Sequence, residues 1–492
     1  MSQKAAFARG SAVVSMITFI GHLLSTGLKL LISRNFGLVG FGQYALIMAF
    51  SRFFSTIIQM GYHQSMVYFI SKFRTHKDWV NVKYFFVSGI RHILVTSLFL
   101  MMGLFLFKDM LFKYIHTDSG GIYTLIAIAF ISATIAINNV LSSTLRSLKL
   151  FKEQAILFTS SFPALMIIAL LLLKVLGTDM TDIHQFIYIG IVFNVILLIA
   201  VYVLTRKHVS TKIESNTEKD EIKQLTRYSM PIWLSSALQS ASRSSDRIML
   251  GIFSSISQVG IYGAGFTFSI LFAFPLKAMG PVFQPNIVDM YTQKDFEGIN
   301  DLYNTMVRWS ALFVIPAFSG LLCFGDSLIL IFGTGFEDAY PVMIILSFAQ
   351  MISTISGLAG TMLNMTEKQG AHARINAYGF VIAIVLNLLL IPKYGALGAA
   401  IGTGVTLLIT NIFRVNKLLK YFSVKTDYST IIWLTLKFLP LAAFSYWLNQ
   451  QNILHWLMLL SVYAIFSIII VYTSLLIDER NHIKTYLRKI LS

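Results

Sequence analysis

Residues 228–253 combine charged side chains with the length and apolar character of a membrane-spanning helix. Their polar members recur at spacings of three and four, which places them on one helical face. That face holds Ser235, Ser236, Gln239, Ser242, Arg243 and Asp246, with Arg247 beside the carboxylate. An ionisable side chain inside a bilayer costs at least ~2.5–3.5 kcal/mol, so this face is expected to border protein or a watery cavity. The pattern predicts a solute pathway; a structural Asp–Arg pair that ties two helices together is the alternative.

Two earlier stretches repeat this spacing. The first stripe comprises Ser15, Thr18, His22, Ser25, Thr26 and Lys29, and the second comprises Arg52, Ser55, Thr56, Gln59 and His63. Arg52 lies about ten residues, hence ~15 Å, inside its helix, so it is not expected to extend to the interface. For Lys29, extension of the side chain to the membrane interface and a place in the polar pathway are equally compatible with the sequence. Neither His22 nor His63 has a metal-ligand partner three or four residues away in its helix, which favours polar lining or packing over a metal site.

The predicted membrane interior is strongly cationic. Its basic residues are Lys29, Arg52, Arg91, Arg243, Arg247, Lys277 and Lys437, whereas Asp246 is its one clear acid. Arginine suits phosphate because it stays charged and can hold two oxygens at once. Lys277 lies among prolines of the eighth predicted span, in residues 275–285, where a bent or broken helix is expected to act as a hinge or a site.

Composition places the whole chain in a membrane. Of its 492 residues, 56% are hydrophobic and 12% are charged, and the mean hydropathy is +0.70. Repeated apolar runs of about 20 residues predict an all-α polytopic protein. Cys323 is the single cysteine, which excludes an internal disulfide and a thiolate metal cluster. Extramembrane segments contain no nucleotide-binding or catalytic motif, so neither an enzyme nor an ATP-driven pump is expected. The polar start leads straight into the first span, and no removable signal peptide is expected.

We predict fourteen transmembrane helices. Their approximate ranges are 10–33, 43–70, 84–107, 122–145, 155–174, 184–205, 228–253, 258–285, 304–332, 339–365, 374–392, 396–413, 430–448 and 456–477. A surface helix is expected to precede the ninth span, because Ile299, Leu302, Tyr303 and Met306 have helical spacing. Basic residues concentrate in the segments on the side of the termini, whereas the opposite segments hold only Arg34, Lys108, Lys113, Lys174 and Lys393. By the positive-inside rule, both termini are cytoplasmic.

An offset of 218 residues aligns two halves of the chain. Gly42-Gln43-Tyr44 corresponds to Gly260-Ile261-Tyr262, and a basic residue precedes each tyrosine by 15 positions: Lys29 and Arg247. The offset predicts two six-helix lobes related by a pseudo-two-fold axis along the membrane normal, with a cavity between them. We expect lobes at 1–205 and 228–425, a cytoplasmic linker at 206–227, and two accessory helices with a cytoplasmic tail at 426–492.

Three later segments carry a family resemblance: DRIMLGIFSSISQVGIYGAG, MLNMTEKQGAHARINAYG and NLLLIPKYGALGAAIGTG. They closely resemble polysaccharide-biosynthesis flippases (Wzx type) of the multidrug/oligosaccharidyl-lipid/polysaccharide exporter (MOP) superfamily, and RNFGLVGFGQYALIMAF resembles the N-terminal signature. The resemblance covers essentially the whole chain. It implies a MATE-like fold and alternating access that moves a polyprenyl-(pyro)phosphate-linked oligosaccharide to the outer leaflet. It also implies that cavity cations engage the phosphates and that the last two helices accommodate the lipid tail.

The expected substrate-binding residues are His22, Lys29, Arg52, Gln59, Gln239, Arg243, Asp246, Arg247 and Lys277. Asp246 and Arg247 follow from the matched motif, whereas Lys29, Arg52 and Arg243 follow from their stripes. No cofactor is expected beyond a Na⁺ or H⁺ gradient or the membrane potential. We expect a monomer in the inner (plasma) membrane, with membrane lipids and glycan polymerase or glycosyltransferase machinery, but no nucleic acid, as partners. A cation-coupled multidrug exporter, a peptidoglycan-precursor (lipid II) flippase and a non-transporting scaffold are the alternatives.

Overall fold

The structure, a computed structural model, describes residues 3–109, 121–177, 182–209, 233, 237–238, 240–366, 368–422, 428–451 and 455–475. Regular secondary structure in these ranges is helical throughout. The chain forms two compact units. Unit 1 consists of residues 1–263, 332–335 and 380–399, and unit 2 consists of residues 264–331, 336–379 and 400–492. The predicted division into lobes, linker and accessory helices stays a prediction.

Eight helices are described in the amino-terminal half. They are α1 (Gln3–Gln59), α2 (Tyr62–Thr75), α3 (Trp79–Leu106), α4 (Gly121–Ser147), α5 (Phe151–Ala155), α6 (Ser161–Val175), α7 (Ile183–Val209) and α8 (240–253). A π-helical turn, Ile156–Ser160, joins α5 to α6. The core between α2, α3 and α4 is apolar, and within it the rings of Phe69 and Phe85 stack at 5.1 Å.

The remaining helices contribute most of unit 2. They are α9 (Ile256–Ser269), α10 (Phe274–Thr292), α11 (Phe296–Ile329), α12 (Ala339–Ile355), α13 (Ala359–Met365), α14 (Gln369–Phe422), α15 (Tyr428–Gln450) and α16 (Trp456–Ser474). Hydrogen bonds dock the last two helices on α11. The hydroxyl of Tyr463 donates to the carbonyl of Pro316 at 2.8 Å and also contacts Ser319. The side chain of Asn449 donates to the carbonyl of Cys323 at 3.1 Å.

Ten described helices are long and apolar enough to cross a membrane, or eleven spans if the bent pair α12 and α13 counts as one. The chain is therefore an all-helical, multi-pass membrane protein. Glycine interrupts two of the ten: Gly37 in α1 has φ 64° and Gly395 in α14 has φ 55°, both outside the helical region. Glycine adopts positive φ without the steric cost of a β-carbon. Each break falls where the sequence predicts a connection between two spans. The total of fourteen spans stays a prediction.

Two glycines form a reciprocal contact inside unit 1. A β-carbon on Gly260 in α9 would lie 2.5 Å from the carbonyl oxygen of Leu38 in α1. A β-carbon on Gly42 would collide with the carbonyl oxygen of Ile256 in the same way. Each glycine thus faces the residue four positions before the other glycine. The members of each equivalent pair, Leu38 with Ile256 and Gly42 with Gly260, are 218 residues apart in the sequence. This contact relates α1 and α9 by a local two-fold.

Two connections also recur, at nearly the same offset. Lys77 (φ 59°) precedes Asp78, whose carboxylate caps α3, and Lys294 (φ 60°) precedes Asp295, whose carboxylate caps α11. Asp78 and Asp295 have nearly equal backbone angles, φ −85° and ψ 80° against φ −82° and ψ 78°. These two turns are 217 residues apart. The repeated turns support the internal duplication that the sequence predicts.

Three expectations about individual helices need correction. The second predicted span, 43–70, ends at Gln59, because Met60 and Gly61 take positive φ values of 42° and 77°. His63 therefore belongs to α2 and not to the helix of Arg52. In addition, no separate surface helix precedes the ninth span: residues 296–329 form the single helix α11, capped by Asp295.

The eighth predicted span is interrupted, as its prolines lead one to expect, but at another place. A 3₁₀ turn, Ile270–Ala273, separates α9 from α10. Pro275 lies in the first turn of α10, where its missing N–H removes no helical hydrogen bond. The helical conformation continues through residues 281 and 285. The break therefore precedes the proline cluster and does not fall inside it.

Candidate functional site

Asp246 is the buried acid at the centre of the predicted motif. Its side chain is 4% exposed and accepts a hydrogen bond from the hydroxyl of Tyr262, which is fully buried. The other carboxylate oxygen accepts the backbone N–H of Arg247 at 2.8 Å and lies 3.8 Å from the Nε of that arginine. Burying a carboxylate is costly unless it is paired and hydrogen-bonded. Tyr262 and Arg247 supply these partners, so Asp246 is satisfied inside unit 1.

Arg52 of α1 lies on the face directed at α8, the helix that carries this carboxylate. Thr56, one turn after Arg52 in α1, donates to the hydroxyl of Ser240 in α8 at 2.9 Å. Residues four apart share a helical face, so the Arg52 face of α1 is directed at α8. The positive charge of Arg247 acts on Arg52 and repels it. Arg52 is nevertheless exposed.

Arg243 occupies the same helix one turn before Arg247, and its side chain is also exposed. Arg52, Arg243 and Arg247 therefore belong to one region of α1 and α8, and Asp246, the buried acid of this region, is already hydrogen-bonded to Tyr262. Like charges held together in a low-dielectric setting favour binding of an anion. We call Arg52, Arg243, Asp246 and Arg247 the cationic site.

Gln59 is the last residue of α1, and its side chain does not face open space. It is 2% exposed, and its carbonyl oxygen accepts a hydrogen bond from Asn139 of α4 at 3.3 Å. Interhelical bonding of this kind is the usual role of an amide inside a membrane protein. The contact favours a structural role for Gln59 over the predicted ligand-binding role.

The other predicted residues are spread over both units. His22 and Lys29 are half-buried in α1, before the break at Gly37. Lys277 is exposed on α10, which belongs to unit 2. Gln239 lies outside the described residues. Ligand binding by these four side chains stays a prediction.

In the sequence, Tyr262 is only a marker of the duplication, yet the structure makes it the hydrogen-bond donor to Asp246. The two residues are 16 positions apart and lie on different helices. The Gly-x-Tyr repeat was the available signal. A carboxylate in an apolar helix needs a donor, and a tyrosine at a duplicated position in the next helix was a candidate.

Unit 2 contains an apolar cavity of about 680 Å³. Segments of α11, α12, α14 and α15 form it, and they contribute mostly aliphatic and aromatic side chains. Its lining includes Ile315, Phe318, Leu322, Phe348, Met351, Ile352, Leu408, Ile412, Ile431, Phe438 and Leu439. The polar side chain of Asn411 also reaches it and accepts a hydrogen bond from Arg414 at 3.1 Å. Such a cavity suits a hydrocarbon chain.

No cluster of three or more potential metal ligands occurs among the residues the structure describes. The site is therefore defined by its cations, its hydrogen-bonded carboxylate and its position in membrane helices.

These features define a polytopic helical membrane protein with basic side chains on its membrane helices. Its fold is that of known MOP-superfamily proteins. The structure titled "Lipid II flippase MurJ, inward closed conformation" matches with a TM-score of 0.74 and 13% sequence identity, covering 98% of this chain and all (100%) of that one. An inward-facing MATE family multidrug resistance transporter matches with a TM-score of 0.65 and 14% identity, covering 84% of this chain and 99% of the other. At these identities the likeness concerns the fold alone.

The chain belongs to the polysaccharide biosynthesis protein family, whose model matches residues 7–284. A second family model, MatE, matches residues 231–389. These matches confirm the resemblance to polysaccharide flippases of the MOP superfamily. The two family matches support the prediction of a transporter and not an enzyme.

Curated relatives match over part of their length. The probable low-salt glycan biosynthesis flippase Agl15 of Haloferax volcanii is 28% identical over 198 residues, which are 40% of this chain and 42% of Agl15. The capsular polysaccharide biosynthesis protein CapF of Staphylococcus aureus is 28% identical over 206 residues, which are 40% of this chain and 50% of CapF. The chain thus spans half or less of the length of these relatives.

Proposed function

We propose that the protein is a flippase that moves a polyprenyl-(pyro)phosphate-linked oligosaccharide from the cytoplasmic to the outer leaflet by alternating access. The observation that carries this proposal is the cationic site, in which three arginines lie in membrane helices around a carboxylate that is already hydrogen-bonded. Crossing the hydrocarbon core with charged phosphates is prohibitive without a polar path. The names of Agl15 and CapF, which concern glycan and capsular polysaccharide biosynthesis, support the class of cargo.

The substrate has three chemically distinct parts, and the chain offers an environment for each. Arginine holds phosphate oxygens in pairs and stays charged, so Arg52, Arg243 and Arg247 bind the phosphates. The apolar cavity of unit 2 matches the prenyl chain in polarity, and it borders α15, one of the two helices that the resemblance assigns to the tail. The glycan follows the phosphates along the polar stripes, with Lys29 and Lys277 adding to the positive field.

The architecture belongs to this proposal. We infer fourteen transmembrane helices, two pseudo-two-fold-related six-helix lobes and two accessory helices, in the inner (plasma) membrane. The reciprocal glycine contact and the repeated Lys-Asp turns support the duplication, and the positive-inside rule supports cytoplasmic termini. A chain with Cys323→Ser and Ser215→Cys tests the topology: labelling from the cytoplasmic side is expected, and labelling only from outside would contradict it.

Two related activities remain as alternative outcomes. A lipid II flippase differs in the headgroup and not in the physics of the phosphate site, whereas a multidrug exporter moves mostly cations. The cationic site favours an anionic cargo over a cationic drug. Coupling to a Na⁺ or H⁺ gradient or to the membrane potential, a monomeric state, and cooperation with a polymerase or glycosyltransferases are further parts of the proposal.

The test is transport by the purified chain in proteoliposomes. Arg52→Ala, Arg243→Ala and Arg247→Ala are expected to reduce flipping of a polyprenyl-pyrophosphate-linked oligosaccharide severely, and Arg→Lys at each site less so. Arg91→Ala is the matched control, because Arg91 is an exposed arginine of another membrane helix, α3. Expression and melting temperature are measured for every variant. Folded triple variants that flip normally would refute the proposal. Preferential flipping of lipid II, or transport of cationic drugs only, would select an alternative.

A further inference from the structure

Tyr44 and Tyr262 occupy equivalent positions around the reciprocal glycine contact. Tyr44 follows Gly42 by two residues, and Tyr262 follows Gly260 by two residues. Because the two glycines face each other's preceding turn in the same way, α1 and α9 are related locally by a two-fold. The surroundings of the two tyrosines can therefore be compared directly.

Those surroundings have diverged. Tyr262 is fully buried and donates to Asp246. The residue that corresponds to Asp246 in the first repeat is Leu28, which is 4% exposed and offers no side-chain acceptor. The hydroxyl of Tyr44 has no hydrogen-bond partner among the residues the structure describes. Tyr44 is half-buried, and its hydroxyl is not one of the polar atoms that are both buried and unpartnered, so it keeps some accessible surface.

Tyr44 lies two turns before Arg52 on the same helix, at a spacing of eight residues, and the positive charge of Arg52 acts at the Tyr44 side chain. Long side chains in helices point back toward the N-terminus, so the guanidinium of Arg52 extends in the direction of Tyr44. Arg247 acts on the same guanidinium from α8. A hydroxyl donor thus lies two turns from an exposed cation that is repelled by a second cation.

We propose that Tyr44 is a ligand-binding residue whose hydroxyl, together with the guanidinium of Arg52, binds a phosphate of the transported lipid. The inference rests on the proposed function and adds a residue to its phosphate site. A phenol donates one hydrogen bond and arginine donates several, and both kinds of donor bind a phosphate oxygen. In the second repeat, the carboxylate of Asp246 accepts the hydrogen bond of the equivalent tyrosine, Tyr262. In the first repeat, the absence of a carboxylate leaves the hydroxyl available to an anion from outside the protein.

The test uses the full purified chain and geranylgeranyl pyrophosphate as the probe, with binding measured by titration calorimetry. Tyr44→Phe removes only the hydroxyl and is expected to raise the Kd about tenfold, which corresponds to about 1.4 kcal/mol. Tyr84→Phe is the matched control, because Tyr84 is a half-buried tyrosine of α3 outside the site, and its Kd is expected to be unchanged. Geranylgeraniol, which lacks the phosphates, should bind Tyr44→Phe and the parent chain equally.

A double-mutant cycle connects the two residues. If Tyr44 and Arg52 hold one phosphate, the effects of Tyr44→Phe and Arg52→Gln will not be additive. A melting temperature equal to that of the parent chain shows that Tyr44→Phe folds, and Tyr44→Leu is the second variant, with the same expected loss of affinity. Unchanged affinity in both Tyr44 variants, while Arg52→Gln binds weakly, would overturn the role of Tyr44 alone. Unchanged affinity in Arg52→Gln as well would overturn the phosphate site of the proposed function.

Discussion

Gly42 and Gly260 each lie against the backbone carbonyl of the residue four positions before the other, Ile256 and Leu38. No side chain fits between the helices at either point. The contact therefore holds two membrane helices at backbone distance, as small residues commonly do in bilayers, where hydrophobic burial supplies little net attraction between helices. Because the four residues form two pairs at the same sequence offset, the contact also marks the local symmetry axis.

Gly42→Ala and Gly260→Ala are each expected to lower stability, because the added methyl group must push a backbone carbonyl away. Overpacking of this kind typically costs ~1–3 kcal/mol, more than the ~1 kcal/mol that alanine gains over glycine in a helix. Gly27→Ala is the control: it is a helical glycine with no atom within 4 Å of its would-be β-carbon, and it is expected to be neutral or stabilising. Melting temperatures in detergent measure the difference. A Gly42→Ala chain as stable as Gly27→Ala would contradict the contact.

The positions of the charges in membrane helices could be predicted from the sequence, because the energetic cost of a buried charge is large and the helical period is fixed. The duplication was also visible from Gly42 and Gly260. Their contact with Leu38 and Ile256 was not, because an offset relates residues without saying which ones touch. Likewise, the exposed fraction of Gln59 depends on Asn139, a partner 80 residues away.

Helix ends were harder to predict than helix faces. Gly37 turns the chain between two spans without leaving a loop, and a hydropathy pattern does not distinguish such a kink from a short connection. Met60 takes a positive φ that its side chain type does not indicate, so the end of the second span was placed too late. In α10, local propensity placed the break at the prolines, whereas the 3₁₀ turn lies before them.

Removing the donor to Asp246 is expected to destabilise unit 1. Tyr262→Phe leaves a buried carboxylate oxygen without its hydrogen bond, which costs ~1–3 kcal/mol or more for a charged group. Asp246→Asn keeps an oxygen that accepts from Tyr262 but loses the attraction to Arg247. We therefore expect Asp246→Asn to disturb stability or coupling before it changes affinity for the substrate.

Denaturation and flipping of the two single variants and the double variant measure this coupling. Because Tyr262 and Asp246 act as a pair, the double variant is expected to be less damaged than the sum of the single ones. Tyr84→Phe again controls for loss of a hydroxyl elsewhere. Additive effects would show that the two side chains act independently.

The Lys-Asp turns give a prediction with a built-in repeat. The carboxylate of Asp78 accepts the backbone N–H of Asn81 at 3.1 Å, and that of Asp295 accepts the backbone N–H of Gly298 at 2.9 Å. Asp78→Ala and Asp295→Ala each remove a helix cap, which typically costs ~0.5–2 kcal/mol. Asp301→Ala, at an exposed position inside α11, is expected to change stability by less than ~0.5 kcal/mol. Equal melting temperatures for Asp295→Ala and Asp301→Ala would exclude a capping role.

The docking of the last two helices can be tested at one hydroxyl. Tyr463 in α16 is 4% exposed, donates to the carbonyl of Pro316 and contacts the hydroxyl of Ser319. A buried tyrosine hydroxyl without a hydrogen-bond partner is costly, and Pro316 supplies that partner. Tyr463→Phe removes the donor itself, so the loss is the net hydrogen bond, typically ~0.5–1.5 kcal/mol. Lys437→Ala in α15 is the control for an exposed contact with the same helix, because the one hydrogen bond of Lys437 in the described part of the chain goes to Ser474, the last residue of α16, at 3.2 Å.

We expect Tyr463→Phe to loosen α16 from α11 and to increase protease access to residues 451–455, whereas Lys437→Ala should leave both stability and protease access unchanged. Limited proteolysis in detergent and melting curves measure the two effects. If Lys437→Ala lowers flipping without changing the melting temperature, Lys437 contacts a lipid phosphate. If flipping, lipid affinity and expression are all unchanged, the side chain of Lys437 extends to the membrane interface. Protease access that is the same in Tyr463→Phe and the parent chain would show that the hydroxyl does not hold the last helix in place.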